Sequence, residues 1–411
     1  MFRRKRPIIA IWLAALFCPP PPAIAEPELT PSRFELSGFG TLGGVRTNSD
    51  DVEFTRDQSQ HEGAKKSWTA KQDSLLGLQA YFKATESLEF VAQAVSRYGP
   101  NANYRPELMA AYARFAATPN LSIRAGRMGV EFYMLSDSRL VGYSYLTVRP
   151  PVDFFGTLPF QYVNGADFTV TAPLGDGVLK GKAFFGKSGE KAPIQDEFLN
   201  LQGNPMAGGY LDYQSGNWQW RVTAAQTKFK HELPPPVSTL RDSLDQASQL
   251  GFPTAAEAAN QISLTDTTSR FYSVGGVYDQ GPLQIQAMLS ETRHESSIYQ
   301  NSRAGYVIAG YRLGQFTPFV GYSRNRSKAK SVSSGLPDAF PPFAQINAGL
   351  AGALARTHID QNTWSLGARW DFRRDMALKT QIDLIRGEPD SVFLYPLSNL
   401  NVFSLALDFV F

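Results

Sequence analysis

The amino-acid sequence predicts an all-β fold, a transmembrane antiparallel β-barrel of sixteen strands with short turns at one end and long loops at the other. Three observations predict it. Apolar and polar residues alternate along many segments, short and long connections alternate along the chain, and an apolar stripe runs to the last residue. In "NVFSLALDFVF", which spans 401–411, every second residue from Phe403 to Phe411 is phenylalanine or leucine. A period of two is typical of a strand with one apolar face.

The same alternation recurs in four further segments, whose second face is polar and charged. "NTWSLGARWDF" sets Trp364 and Leu366 on one face against Arg369 and Asp371 on the other. Because every backbone group in lipid must be paired, such strands have to close into a barrel with the apolar face toward lipid. The four segments are 34–45, 74–84, 362–372 and 378–385.

The connections fall into two classes that alternate without a break, so that seven short and eight long ones join sixteen strands. A large soluble β-sandwich or propeller is the alternative, but it does not explain this rhythm or the absence of a linker. The short ones carry turn residues at 84–87, 117–120, 173–177, 214–217, 279–282, 313–315 and 373–375. The long ones are near 47–73, 98–106, 128–160, 187–205, 230–267, 292–302, 327–361 and 387–399.

The first residues have the pattern of a secretory signal. Basic residues at 3–6 precede a short apolar run, and small residues at Ala23 and Ala25 suit cleavage after Ala25. We therefore expect a cleaved signal peptide over 1–25 and one barrel domain over 26–411. A lipoprotein site at Cys18 is the alternative, but it needs a small residue where Phe17 stands.

Net charge, cysteine content and motifs limit which partners and activities we expect. Removal of the four basic residues at 3–6 takes the net charge from +3 to −1, so the composition does not point to a nucleic-acid partner. Cys18 is the only cysteine and would leave with the signal, so we expect no disulfide in the mature chain. The four histidines lack metal-ligand spacing and no G-x-S-x-G motif is present, so we expect neither a metal site nor an enzyme.

Four features resemble Gram-negative porins of the sixteen-stranded general type. They are "SGFGTLGG" near the mature start, "DSLLGLQ" in the second strand, "AGRM" at the end of the fifth, and the aromatic-ended last strand. The resemblance implies a homotrimer in the outer membrane, surrounded by lipid and lipopolysaccharide. It implies a water-filled channel for passive diffusion of small hydrophilic solutes or ions, with no cofactor. A substrate-selective channel, or a closed barrel serving as an adhesin or surface scaffold, remains an alternative.

The resemblance also implies that the third long loop, 128–160, folds into the barrel and narrows it. Charges of both signs at such a constriction set ion preference, because low-dielectric surroundings strengthen the field between them. The alternative is that the loop acids only anchor the loop, and that each wall arginine is a solvated charge paired with a neighbour. The candidates are Glu131, Asp137, Arg139, Arg149 and Asp153 on the loop, and Arg97, Arg114, Arg124 and Arg127 on the wall.

Simple alternation places Arg127 on the lipid face, whereas the resemblance directs it into the pore, and a bulge after Gly126 would reconcile the two. The loop aromatics, among them Tyr133, Phe154 and Phe155, either form an apolar path for solutes or pack the loop in place.

Helices are expected in "TAAEAANQI" and "FAQINAGLAGALA", and interfacial aromatics at Trp218, Trp220, Trp364, Trp370 and Tyr395.

Overall fold

The structure is a computed structural model that describes residues 33–194, 197–389, 391, 394 and 396–411. The expected signal peptide and Tyr395 lie outside the described residues. Sixteen strands of the described chain form one closed antiparallel barrel, and two more, β8 and β9, form a small hairpin. The predicted fold class is confirmed.

The barrel closes by pairing its first strand with its last, from Phe39 opposite Val410 to Thr47 opposite Val402. Each remaining strand pairs with its neighbours along the chain, the β8–β9 hairpin being skipped. The strands are β1 (Phe34–Thr47), β2 (Leu75–Lys83), β3 (Leu88–Arg97), β4 (Glu107–Thr118), β5 (Leu121–Gly129), β6 (Tyr162–Leu174), β7 (Gly177–Lys187), β8 (Lys191–Ile194), β9 (Glu197–Asn200), β10 (Pro205–Ser215), β11 (Trp218–Lys228), β12 (Thr268–Gln280), β13 (Leu283–His294), β14 (Asn301–Tyr311), β15 (Phe316–Lys328), β16 (Asp360–Arg373), β17 (Met376–Gly387) and β18 (Asn399–Val410).

The two ends of the barrel differ as the connections predict. Seven tight turns lie at one end and eight long connections at the other, and the strand boundaries fall within a few residues of those expected. Glycines at 175, 216, 281 and 314 adopt positive φ in four of the turns, a conformation that glycine reaches without strain.

The outward face of the barrel is apolar. Leu36 and Leu289 are 64% and 66% exposed. Exposure of these leucine side chains to water would be unfavourable, whereas contact with lipid is favourable. Aromatic side chains lie toward the turn end, where Trp218 stacks on Trp220 and Phe316 on Trp370. Amphipathic rings suit the boundary between hydrocarbon and water.

Helices occur in the loops and inside the barrel. They are α1 (Val152–Phe155), α2 (Val237–Gln249), α3 (Pro253–Ile262) and α4 (Pro341–Ala355). The expected helices in "TAAEAANQI" and "FAQINAGLAGALA" correspond to α3 and α4, whereas α2 was not anticipated. Leu244, Ile262 and Leu354 bury the apolar sides of these three helices in one core. Among the described residues, no helix is long and apolar enough to cross a membrane.

The inner face of the barrel is not polar on every strand, in contrast to the polar and charged face of the four segments named from the sequence. On β12, β13 and β14 it carries Phe271, Met288 and Tyr306, which are 6%, 1% and 5% exposed. These side chains meet apolar residues of the segment between β5 and β6 in the same core as the loop helices. Alternation alone reports two faces, and it does not say whether the inner one meets water or a folded loop.

Candidate pore constriction

Residues 130–161 connect β5 to β6 and lie inside the barrel; they are called the inner loop here. The inner loop makes hydrogen bonds to wall residues on β7 and β10 on one side and to β15, β17 and β18 on the other. The loop therefore crosses the lumen, as the resemblance implied.

Glu131 attaches the start of the inner loop to the wall. Its carboxylate accepts hydrogen bonds from Arg124 at 2.8 Å, Lys182 at 2.7 Å and the Tyr210 hydroxyl at 2.7 Å. Arg124 is also bound to Asp167 on β6. Three donors satisfy a buried carboxylate, so Glu131 is an anchor.

Arg149 attaches the middle of the inner loop to the opposite side. Its guanidinium donates to both oxygens of Asp73, at 2.9 and 2.6 Å, and to Asp383 at 3.1 Å. It also donates to Ser404 Oγ. The Arg149 side chain is 1% exposed, so this cluster is shielded from any solute in the lumen.

Asp153 fixes the short helix α1 to β15 and β16. Its carboxylate accepts from Ser323 Oγ at 2.6 Å and from the Gln361 amide, while Asn325 donates to its backbone oxygen at 2.8 Å. With 2% of its surface exposed, Asp153 is an anchor held by neutral donors.

A fourth buried cluster joins the inner loop to the strands that close the barrel. Lys379 on β17 pairs with Asp408 on β18 at 2.8 Å, and Asp408 accepts from Thr41 on β1. The same ammonium donates to the backbone oxygens of Gly142 and Thr147. A Cβ on Gly142 would collide with the Asp408 carboxylate, so the loop passes this point only with glycine there.

Aromatic packing fills the remaining space under the loop on this side. Tyr133 lies 5.0 Å from Phe154 and 4.6 Å from Phe155 between ring centroids, and Phe154 lies 4.9 Å from Tyr306. The three loop rings are at most 9% exposed. Of the two interpretations of these aromatics, packing of the loop is the one that the geometry supports.

The tip of the inner loop differs from its anchors. Asp137 is exposed inside the barrel, and its charged neighbours are Glu131, Arg221, Lys182 and Lys180. Partial removal from water raises the pKa of Asp137, Glu131 adds to the rise, and the three cations oppose it. Asp137 thus faces basic side chains of β7 and β11.

Arg139 and Arg97 lie beside this tip. Arg139 donates to Gln161 and to the Phe160 backbone oxygen. Arg97 donates to Asp57 at 3.3 Å and to Ser59 at 2.9 Å, which attaches the 48–74 connection to the wall. Removal from water raises the pKa of Asp57, but Arg97, Ser59 and two further arginines outweigh this and bring it to about 2.

Arg114 lies on the inner face of β4, nearer the turns. It pairs with Glu89 on β3 at 3.1 Å, and the two side chains are 33% and 20% exposed. The pair remains in contact with water, so its charges are screened but accessible to a passing ion.

Arg127 does not join these residues. It donates to Asn164 and to the Leu108 backbone oxygen, both at 2.9 Å, and lies 3.9 Å over the Tyr162 ring. Leu108 is an exposed outward residue. Pairing with β4 is continuous from Arg124 to Arg127, so the bulge that would turn Arg127 inward is absent, although Gly126 has a φ of +135°. Simple alternation placed it correctly.

Several site residues were not anticipated, although strand parity pointed to all of them except Asp73, which lies in the turn before β2. Lys379 and Asp383 occupy the polar face of a segment whose alternation the sequence showed. The others are Asp73, Asp167, Lys182, Tyr210, Arg221 and Asp408. Within the described ranges, no group of histidine, cysteine and acidic side chains could hold a metal ion.

Comparison with known proteins shows the fold. No family model matches the sequence, and a comparison with curated proteins finds no match. Among solved structures, the chain is similar to Salmonella typhi OmpF in complex with daunomycin, with a TM-score of 0.55, 14% identity and coverage of 92% of this chain and 97% of that one. The anion-selective porin from Comamonas acidovorans gives a TM-score of 0.52 at 12% identity, covering 92% and 99%.

Two further similar structures are outer-membrane proteins. The channel DcaP of Acinetobacter baumannii gives a TM-score of 0.53 at 14% identity, covering 92% and 97%. The trimer form of Vibrio cholerae OmpT gives a TM-score of 0.53 at 11% identity, with coverage of 92% of this chain and 100% of that one. The chain therefore has the fold of sixteen-stranded general porins.

Proposed function

We propose that the protein is an outer-membrane porin through which small hydrophilic solutes or ions diffuse passively. The observation that carries the proposal is an inner loop pinned across the lumen of a closed sixteen-stranded barrel, with Asp137 exposed opposite basic wall residues. Solutes would pass between the tip of the loop and the β3–β7 wall, past Arg114 and Lys180. Opposed charges at this point orient and select ions without any chemical step.

One cluster bears on the alternative of an enzyme at the barrel rim. His358 lies 2.9 Å from Glu388 and 3.2 Å from Ser327 Oγ, a grouping of the residue types that hydrolases use. Ser327 is only 7% exposed, and its hydroxyl already bonds the Ile359 amide and Gln300. A nucleophile must reach its substrate, so this cluster favours a structural contact between loops, and the channel remains the preferred function.

We infer a homotrimer from the outward face of β2–β5. Its mid-height residues are small, among them Ala80, Ala92, Ala113 and Ala125, and Phe82 lies toward the turns. Small side chains let flat surfaces approach closely, which suits a contact between identical subunits in lipid. The trimer form of Vibrio cholerae OmpT supports this assembly for the fold.

The test is conductance of the refolded protein in a planar lipid bilayer, with the reversal potential measured across a KCl gradient. We expect stepwise openings in groups of three, and a reversal potential that changes when Asp137 is replaced. A folded barrel that migrates differently before and after heating but conducts nothing would contradict the proposal. It would favour a closed scaffold or a tightly gated specific channel.

A further inference from the structure

Glu190 lies on the connection between β7 and β8, beside the point where the inner loop returns to the wall. Its Oε1 accepts hydrogen bonds from the Gln161 amide at 2.6 Å and the Tyr162 amide at 3.1 Å. The other oxygen, Oε2, is buried and bonds to no described residue. A charged oxygen that is buried without a donor is unfavourable, so this geometry suits the neutral acid.

Arg139 on the inner loop is the cation that acts on Glu190 most strongly. Removal from water raises the pKa of Glu190 to about 8, while Arg139, the two amides and Arg97 oppose the rise. Arg97 is already compensated, because it pairs with Asp57 at 3.3 Å. The proton on Glu190 is therefore set mainly by the balance between burial and the charge of Arg139.

Tyr162 on β6 is a further titratable group beside Glu190, and the opposite charges of Arg127 and Glu107 also act on it. A tyrosine hydroxyl ionises only at about pH 10, so Tyr162 stays neutral where Glu190 titrates. Arg139 is thus the charged group through which a change at Glu190 reaches the lumen.

The positive charge of Arg139 is not neutralised by a salt bridge to any acid of the described chain. Its guanidinium donates to the Gln161 side chain and to the Phe160 backbone oxygen, which are both neutral acceptors. Asp137, two residues earlier, is exposed at the tip of the inner loop. While Glu190 is neutral, Arg139 therefore adds an uncompensated positive charge beside the Asp137 carboxylate.

We propose that Glu190 is a specificity-determining residue of the channel, because its proton decides whether the positive charge of Arg139 is compensated. When Glu190 is neutral, Arg139 attracts anions and offsets Asp137. When Glu190 releases its proton to water, the new carboxylate neutralises Arg139, so the loop tip becomes more negative and favours cations. Glu190 acts through Arg139 as a positioning residue, and the proposal rests on the channel function proposed above.

The test measures the reversal potential of the refolded protein in a planar lipid bilayer across a KCl gradient, at pH 6 and at pH 9. E190Q holds the neutral form, and R139Q removes the cation on which Glu190 acts. E197Q is the matched control, since Glu197 is an exposed acid on β9 of the same connection. Gel migration before and after heating checks that each variant is folded.

From pH 6 to pH 9, we expect the cation-to-anion permeability ratio of the wild type to rise about twofold. E190Q should keep the wild-type value of pH 6 at both pH values. R139Q should have the wild-type value of pH 9 at both, because loss of the cation leaves the tip more negative and keeps Glu190 neutral. E197Q should follow the wild type.

An infrared difference spectrum between the two pH values gives an independent readout, because a protonated buried carboxyl has its own C=O band. The wild type should lose this band at pH 9, and E190Q should show no such loss. An equal pH step in the wild type and E190Q, or in the wild type and R139Q if E190Q does not fold, would overturn the proposal. Absence of conductance in every protein would overturn it together with the channel function, whereas conductance without the pH step would overturn it alone.

Discussion

The inner loop carries buried charges that anchor it and an exposed charge at its tip, and both groups consist of the same residue types. Toward β15–β18 and β1, the charges of Arg149, Lys379 and Asp153 are at most 2% exposed and fully bonded. Toward β3–β7, Asp137 is exposed and Arg114 keeps a third of its side chain in water. Access to water, more than residue type, decides which charge holds the loop and which one meets a solute.

The physical basis of the difference is the cost of desolvation. A buried charge is tolerated only when partners replace its hydration, and loss of one partner leaves the other uncompensated. A charge in the wet part of the lumen has no such dependence, and its removal changes the local potential while leaving the fold intact. Four substitutions separate the two cases.

Arg149→Leu should give the largest effect. It leaves the carboxylates of Asp73 and Asp383 buried together without their shared cation, which should cost about 3–5 kcal/mol of folding free energy. Denaturant unfolding of the refolded barrel in vesicles measures it. Arg373→Leu is the control, since the Arg373 side chain is 64% exposed and pairs with Asp375 at 3.3 Å. Equal stability of the two variants would contradict the anchoring role.

Glu190 should give an intermediate and pH-dependent effect. Its Oε1 accepts from the amides of Gln161 and Tyr162, where the inner loop ends, and removal from water raises its pKa from 4.5 to about 8. Because the folded state keeps this proton where the unfolded state loses it, stability should fall as pH rises from about 5 to 8.

The fall attributable to this carboxyl should be about 1 kcal/mol for each pH unit in this range and should disappear in Glu190→Gln. Unfolding free energies of both proteins at pH 5 and pH 8 give the comparison. An identical pH dependence in the two would show that Glu190 titrates normally and does not bind the loop end as a neutral acid.

Asp137→Asn should leave stability unchanged and alter selectivity. Loss of the exposed carboxylate leaves Lys180 and Arg221 less opposed, so permeability should shift toward anions by about twofold. The reversal potential in a KCl gradient measures the shift. Asp153→Asn is the matched control, since its carboxylate is buried behind the loop. A shift in the control and none in Asp137→Asn would reverse the assignment.

Arg127→Gln should give the smallest effect, with no change in reversal potential. Its side chain lies against Tyr162 and Asn164 on the outward face, away from any solute path. Arg114→Gln, on the inner face of the adjacent strand, should change the reversal potential measurably in the same experiment. If Arg127→Gln gave the larger change, the outward placement would be wrong.

Strand alternation and turn residues were enough to predict the barrel, because each signal is local and repeats along the chain. The same parity placed Arg97, Arg114 and Arg124 inside and Arg127 outside. At Arg127 the porin resemblance and strand parity predicted opposite faces, and the prediction from parity agrees with the structure. Local pattern therefore outweighed analogy at that position.

Which loop charges are anchors could not be predicted, because their partners are remote in sequence. Arg149 reaches Ser404, 255 residues away, and Asp153 reaches Gln361, 208 residues away. The apolar inner face at Phe271 and Tyr306 was missed for a similar reason. Its partners are rings of the inner loop, and no periodicity within a strand reports them.

The cluster of Lys379, Asp408 and Thr41 has a consequence for the order of assembly. Thr41 and Asp408 are 367 residues apart, and the ammonium that joins them to the inner loop is on the penultimate strand. The inner loop is made early in synthesis, yet its lock exists only after the last strand has paired with the first. Contacts of such long sequence separation form late. The inner loop is therefore held by this cluster only in a barrel whose last strand has paired with its first. In a chain that has not yet closed, the inner loop lacks these contacts, and we expect proteases to cut it more readily than in the closed barrel.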